Sequence, residues 1–245
     1  MLTSVAVLPQ PPLLVPELAT GAAAETTSLR AACLAAAARL GATARHWIAV
    51  GADEGGRQSV DPQARGTFAG YGVDVVVALD TGSPGGVRGE APDPMLALPL
   101  LIAGWVAAAA AVDVSIRGEL VAPDAPAAEC AEVGRALATE LAAVAEPVGL
   151  LVVGDGASTH TEKAPGHLDE RAGPFDAAVA TALAGADTAA LAALDPVLAR
   201  QLHAVGRAPW QVLAAAAGAG WTGELLYSQA PYGVAYHVAY WMRRP

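Results

Sequence analysis

The sequence predicts an α/β protein: one domain spanning residues 1–245, with a mostly parallel or mixed central sheet, helices on both faces and an antiparallel strand pair at its C-terminal end. Three observations carry that expectation. Short β-branched, apolar runs alternate with longer alanine-rich stretches, the pattern of repeated strand–helix–strand units. The closing segment "GELLYSQAPYGVAYHVAYW" reads as two strands joined around Ala230 and Pro231. No linker, repeat or low-complexity segment divides the chain, and its 54% of hydrophobic residues can fill one large core.

The elements follow in order. Ser4 to Leu8 is a short buried strand, and Glu25 to Leu40 an alanine-rich helix with Gly41 as its C-cap. His46 to Gly51 is the second strand, and the glycine-rich polar run after it has no periodicity, so a long surface loop is expected there. Val73 to Leu79 reads as a third strand, with a second long loop reaching Pro94. A helix over residues 94–111, the strand "VDVSIRGEL", and a helix from Ala125 to Ala145 stopped by Pro147 come next. The strand in "VGLLVVGDG" is apolar throughout, as a fully covered parallel strand is, and residues 170–218 read as two or three short helices.

Composition excludes several classes. A net charge of −10, with 14 Lys and Arg, provides no basic patch for nucleic acid. The most apolar segment, Met95 to Val114, approaches membrane-spanning length, but Pro99 and Gly104 interrupt it, so a buried helix leading into a strand is expected. No signal peptide is read at the N-terminus, and a cytoplasmic location is expected. Cys33 and Cys130, both in helical stretches, read as core thiols and give no disulfide framework.

In open α/β sheets, ligands gather beyond the carboxyl ends of the strands. The loops after Leu8, Gly51, Leu79 and Val153 would bring Gln10, Asp53, Glu54, Asp80, Asp155, Ser158, Thr159 and His160 there. In "VLPQPPLLVPEL", prolines fix the backbone around Gln10 and suit it to holding that side chain beside a strand end. His160, in the polar loop "GDGASTHTEKAPGHLDER", is a candidate general acid or base, against the plainer reading of a solvated loop. His46, His203 and His237 read as structural. HExxH, GxSxG and phosphate-loop patterns are absent, and the five tryptophans read as core rather than as a pocket lining.

"VLPQPPLLVPEL" resembles the signature "PHPPLLVPE" of the class III extradiol ring-cleavage dioxygenase superfamily, the LigB-type catalytic subunits with their Memo-like relatives. "LLVVGDGASTH", "EKAPGHLDERAGPFD" and "PYGVAYHVAYW" resemble an actinobacterial branch of it. The resemblance implies a non-haem Fe(II) held by two histidines and one glutamate, with a further histidine as acid/base. The first ligand histidine falls on Gln10, and the second falls between Gly51 and Glu54, where there is no imidazole. His160 takes the place of the acid/base, six residues past Gly154 instead of four, and Glu224 that of the glutamate ligand. With Gln10, Asp53, Glu54 and Glu224 as donors, a metal site would be oxygen-rich and suited to Mg²⁺, Ca²⁺ or Mn²⁺ rather than Fe(II).

Three readings follow. The first is a LigB-like protein that has lost iron-dependent ring cleavage and binds a small molecule, aromatic or otherwise, or a partner in the old crevice. The second is an active metal-dependent oxidoreductase with a rearranged site. The third is a structural subunit that forms a homo-oligomer through its alanine-rich helices.

Overall fold

The computed structural model describes residues 1–19, 21, 26–82 and 91–244. In chain order the strands are β1 (Leu2–Leu8), β2 (His46–Ala52), β3 (Gln58–Val60), β4 (Arg65–Thr67), β5 (Val76–Ala78), β6 (Ser115–Val121), β7 (Val148–Val153), β8 (Trp221–Gln229) and β9 (Tyr236–Arg243). The helices are α1 (Thr27–Thr43), α2 (Leu98–Ala109), α3 (Ala127–Ala143), α4 (Ala172–Gly185), α5 (Thr188–Ala192), α6 (Pro196–Gln201) and α7 (Arg207–Ala217).

Seven strands form one mixed sheet in the order β3-β6-β2-β7-β1-β9-β8. Its centre, β6, β2, β7 and β1, is parallel. β3 pairs antiparallel with β6 at one edge, and β9 and β8 complete the other edge as the antiparallel C-terminal pair. The fold is therefore mixed α/β in one unit, as the alternation of runs predicts.

Side-chain alternation divides the core into two layers. One face of the sheet presents Ala6, Leu8, Ala49, Leu151, Val238 and Tyr240 to α1 and α2. The other presents Val5, Val7, Ile48, Val50, Leu150 and Val152 to α3, α4 and α7. The central strands are apolar throughout because both faces are covered. Cys33 and Cys130 are free and buried, one in each layer.

Several expectations are corrected. Val73–Leu79 is not a strand of the main sheet: only Val76–Ala78 is extended, and it pairs with β4 in a separate two-stranded sheet. The physical reason is the sharing of one edge: β3, from within the expected loop, pairs with Gly118–Leu120 of β6, and only the end of the expected strand reaches the start of β6, where the Leu79 carbonyl accepts from Ile116 N–H at 2.7 Å. α1 runs past Gly41 and closes at Ala44, whose N–H donates to the Leu40 carbonyl at 3.1 Å. Gly41 serves close packing instead, because a β-carbon there would sit 2.6 Å from a Val112 methyl. Glu25, expected to open α1, lies outside the described residues, as do residues 83–90 of the second long loop. Residues 170–218 hold four helices rather than two or three. The apolar segment over 95–114 resolves into the twelve-residue α2 and the approach to β6, and no described helix is long and apolar enough to cross a membrane.

α3 and α7 approach so closely that a β-carbon on Gly134 would overlap the Val212 carbonyl oxygen. Neither backbone can yield without moving a packed helix. Gly134→Ala is expected to lower the unfolding free energy by about 1–3 kcal/mol despite the better helix propensity of alanine. Urea denaturation checks this, and an unchanged or raised midpoint would contradict the packing described.

Candidate functional site

Because β1, β2, β6 and β7 are parallel neighbours, their carboxyl ends share one edge of the sheet. Backbone bonds continue the ladder just beyond it: Gly154 N–H donates to the Leu8 carbonyl and Asp53 N–H to the Val121 carbonyl, both at 2.9 Å. A crevice of about 490 Å³ opens here, lined by Gln10, Asp53, Glu54, Tyr71, Leu96 and Pro123 among others. That volume is in the range of small-molecule pockets.

The proline-rich loop is held on both sides. Pro12–Leu14 turn as a short 3₁₀ helix, and Arg30 Nε of α1 donates to the Leu14 carbonyl at 2.7 Å. Gln10 N–H donates to Asp155 Oδ1 at 2.7 Å. The Gln10 side chain is thereby set in the crevice wall at 9% exposure, and its Oε1, out of solvent, has no hydrogen-bond partner. Such an orphaned acceptor costs about 1–3 kcal/mol until a donor reaches it. Asp53 closes a tight turn in which its Oδ2 accepts from Gly55 N–H at 2.9 Å. The Tyr71 phenol is raised first by burial and then by the Asp53 charge.

Asp155 sits between this crevice and a second polar cluster. Although the residue touches some solvent, burial of its carboxyl raises it to about 7, against the lowering effect of the Gln10 N–H. Its charge in turn adds to burial in raising the Cys33 thiol and the Tyr236 phenol.

The second cluster centres on Asp176 of α4, a buried carboxylate. His160 Nε2 lies 2.6 Å from its Oδ2 and His237 Nε2 of β9 lies 3.1 Å from its Oδ1. Ala157 N–H donates to both oxygens, at 3.2 and 3.3 Å. An ionised carboxylate only accepts, so in that state each imidazole donates its Nε2–H to Asp176. His237 Nδ1 lies 3.0 Å from Ser228 Oγ, and among the described residues His160 Nδ1 has no hydrogen-bond partner. His237 is 1% exposed and packs edge-on to Trp210, whereas the His160 side chain keeps 20% of its surface in contact with solvent. Gly156 is required in this loop, since a β-carbon there would overlap Asp176 Oδ1.

The structure brings Gln10, Asp53 and Glu54 together on the crevice. It does not bring Glu224 to them: that residue lies mid-way along the edge strand β8, exposed, with its Oε2 2.8 Å from Arg39 Nη1. His160 is not among the crevice-lining residues; its Nε2 is committed to Asp176. Asp80 bridges to Ser115 at the start of β6, the opposite edge from the crevice, because β5 is not in the main sheet. Four of the five tryptophans are fully buried and none lines the crevice. Asp176 was missed by reading the sequence, although it is the lone charge in the otherwise apolar helix "AGPFDAAVATALAG". A carboxylate in such a helix needs a buried partner, which is a legible signal.

A centre of two histidines and one glutamate for Fe(II) does not fit these residues. The crevice offers an amide and two carboxylates and no imidazole, and among the described residues no group of three His, Cys, Asp or Glu side chains is placed to hold a metal ion. The expected oxygen-rich set of Gln10, Asp53, Glu54 and Glu224 is likewise not assembled.

No family model and no curated protein matches the chain. Among solved structures it is similar to the uncharacterized protein JW3007 from Escherichia coli K12, with a TM-score of 0.50 and 13% identity over 98% of this chain and 99% of that one. At that identity the likeness shows the fold alone, and the class defined is an open-sheet α/β protein with its crevice at the carboxyl ends of the parallel strands.

The raised Asp155 carboxyl has a consequence for stability. Its folded value of about 7 lies above the ordinary 3.8, so between those limits the folded chain holds the proton more tightly than the unfolded one. The stabilisation is full below about pH 4 and is lost as pH rises to about 7. Asp155→Asn keeps an acceptor for Gln10 N–H and removes the titration. Denaturation at pH 5 and pH 8 should show the variant gaining on the parent by about 1–3 kcal/mol at the higher pH. An equal difference at both would contradict a buried, titrating Asp155.

Proposed function

We propose that this chain is a divergent LigB-type protein that has given up the iron centre of ring cleavage and binds a small organic molecule in the crevice beyond β1 and β2. The observation that carries the reading is Gln10: the loop that would present a ligand histidine is kept and fastened, while its side chain is an unpartnered amide in the wall of a 490 Å³ crevice. An amide oxygen is a poor iron ligand and a good acceptor for an organic donor. The fastened loop favours binding for a further reason, because a wall already ordered loses little entropy when a ligand arrives.

The active dioxygenase with a rearranged site draws no support from the donor arrangement, since His160 and Glu224 are engaged with Asp176 and Arg39.

Two measurements test the proposal. Neutral single-ring alcohols and phenols, titrated at millimolar concentration while ¹H–¹⁵N spectra are recorded, should shift Gln10, Asp53 and Tyr71 together. Gln10→Ala should weaken that binding about threefold to tenfold, the value of one hydrogen bond. Anaerobic Fe(II) reconstitution followed by an oxygen-uptake assay on catechols should give no turnover. Ring cleavage after reconstitution, or shifts scattered away from the crevice, would overturn the reading.

A further inference from the structure

We propose that Ser228, His237 and Asp176 form a second, catalytic site, in which the Ser228 hydroxyl takes the acyl group of small aryl esters. None of the three lines the crevice, so the crevice reading stands with or without this site. Ser228 of β8 and His237 of β9 are directly opposite in the strand pair, and their side chains therefore share one face of the sheet, the face toward α4 and Asp176. Ser228 Oγ lies 3.0 Å from His237 Nδ1, and His237 Nε2 lies 3.1 Å from Asp176 Oδ1. Hydroxyl, imidazole and carboxylate stand in one hydrogen-bonded line, the roles by which a serine triad is recognised on unrelated folds. With Asp176 ionised, Nε2 holds the ring proton and Nδ1 offers its lone pair to the hydroxyl, the state a general base needs.

Burial fixes the two supporting groups and leaves the nucleophile open. Asp176 and His237 are out of solvent, whereas Ser228 is exposed on the outermost strand of the main sheet. His160 and the Ala157 N–H bind Asp176 from its other sides and hold it in place against His237. Ser228 Oγ has no other hydrogen-bond partner among the described residues, so nothing competes with the ring for its proton. Structure alone does not call for a serine here: at so exposed a position water would satisfy Nδ1 equally well.

In acylation, Nδ1 takes the Oγ proton while Oγ bonds to the ester carbonyl carbon, and the bond to the aryl oxygen breaks with its electron pair on that oxygen. The aryl oxide then receives the imidazolium proton through water. Water next attacks the acyl-serine carbonyl and gives a proton to Nδ1, the acyl–Oγ bond breaks, and the imidazolium returns its proton to Oγ as the carboxylic acid leaves. His237 is 1% exposed and meets the leaving oxygen only past the serine. A leaving group that departs as a stable anion asks least of such a ring, which selects phenyl esters over alkyl esters and amides.

The test treats the full chain with a fluorophosphonate, which phosphonylates an activated serine hydroxyl, and locates the adduct by peptide mass analysis. A single adduct on Ser228 is expected, forming faster as pH rises from about 5 to 8 and the imidazole loses its proton. Ser228→Ala, at an exposed position that leaves the buried pairs intact, should abolish it, and His237→Gln should slow it about a hundredfold or more. Hydrolysis of para-nitrophenyl acetate should begin with a burst that Ser228→Ala lacks. No adduct, an adduct on another residue, or a labelling rate that is flat with pH or unchanged in His237→Gln would overturn the site and leave Ser228 a structural partner of His237. The pH dependence is read on the unaltered chain, so it decides the matter even where the buried substitution at His237 prevents folding.

Discussion

The carboxylate of Asp176 is the constraint around which this end of the molecule is organised. A buried charge left without partners costs several kcal/mol, so α4 can carry it only if the neighbouring elements bring donors to it. They do: β9 contributes His237, and the loop after β7 contributes His160 and the Ala157 N–H. Fixing that loop fixes Asp155 within it, and Asp155 in turn takes the N–H of Gln10 and sets the proline-rich loop against the strand ends. One buried carboxylate therefore links both polar clusters at the carboxyl edge of the sheet.

Among the described residues this arrangement accounts for the lack of an iron-type donor set. The two imidazoles at this edge of the sheet each direct Nε2 at a carboxylate, a role in which they hold structure together. The crevice is left with an amide, two carboxylates, a tyrosine and apolar walls. An amide and two carboxylates do not replace the two imidazoles of an Fe(II) facial triad.

The alternation of strands and helices was legible in the sequence because it is written in side-chain periodicity, and the double cover of β7 shows in its unbroken apolar run. The crevice set Gln10, Asp53 and Glu54 was legible too, since each follows the end of a parallel strand. Other features depend on pairings no local pattern reveals. "VDVVVAL" has the composition of a central strand, yet three residues of it pair with Arg65–Thr67 outside the main sheet, while β3 and the Leu79–Asp80 backbone share the edge of β6. Glu224 has the right residue type, but register on β8 turns it toward Arg39, which also stacks on the Tyr240 ring at 4.1 Å. His237 reads as a plain core histidine, and only the placement of α4 shows that Asp176 is what satisfies it.

His160 and His237 give Nε2 to the Asp176 carboxylate rather than to a metal. Long-range ¹H–¹⁵N spectra of the imidazoles, recorded before and after addition of zinc as a diamagnetic probe, test it most directly. Both rings should show a protonated Nε2 that one equivalent of zinc leaves unchanged. Loss of the Nε2 proton in either ring, with a shift to a metal-bound nitrogen, would contradict the claim and return the site to metal chemistry.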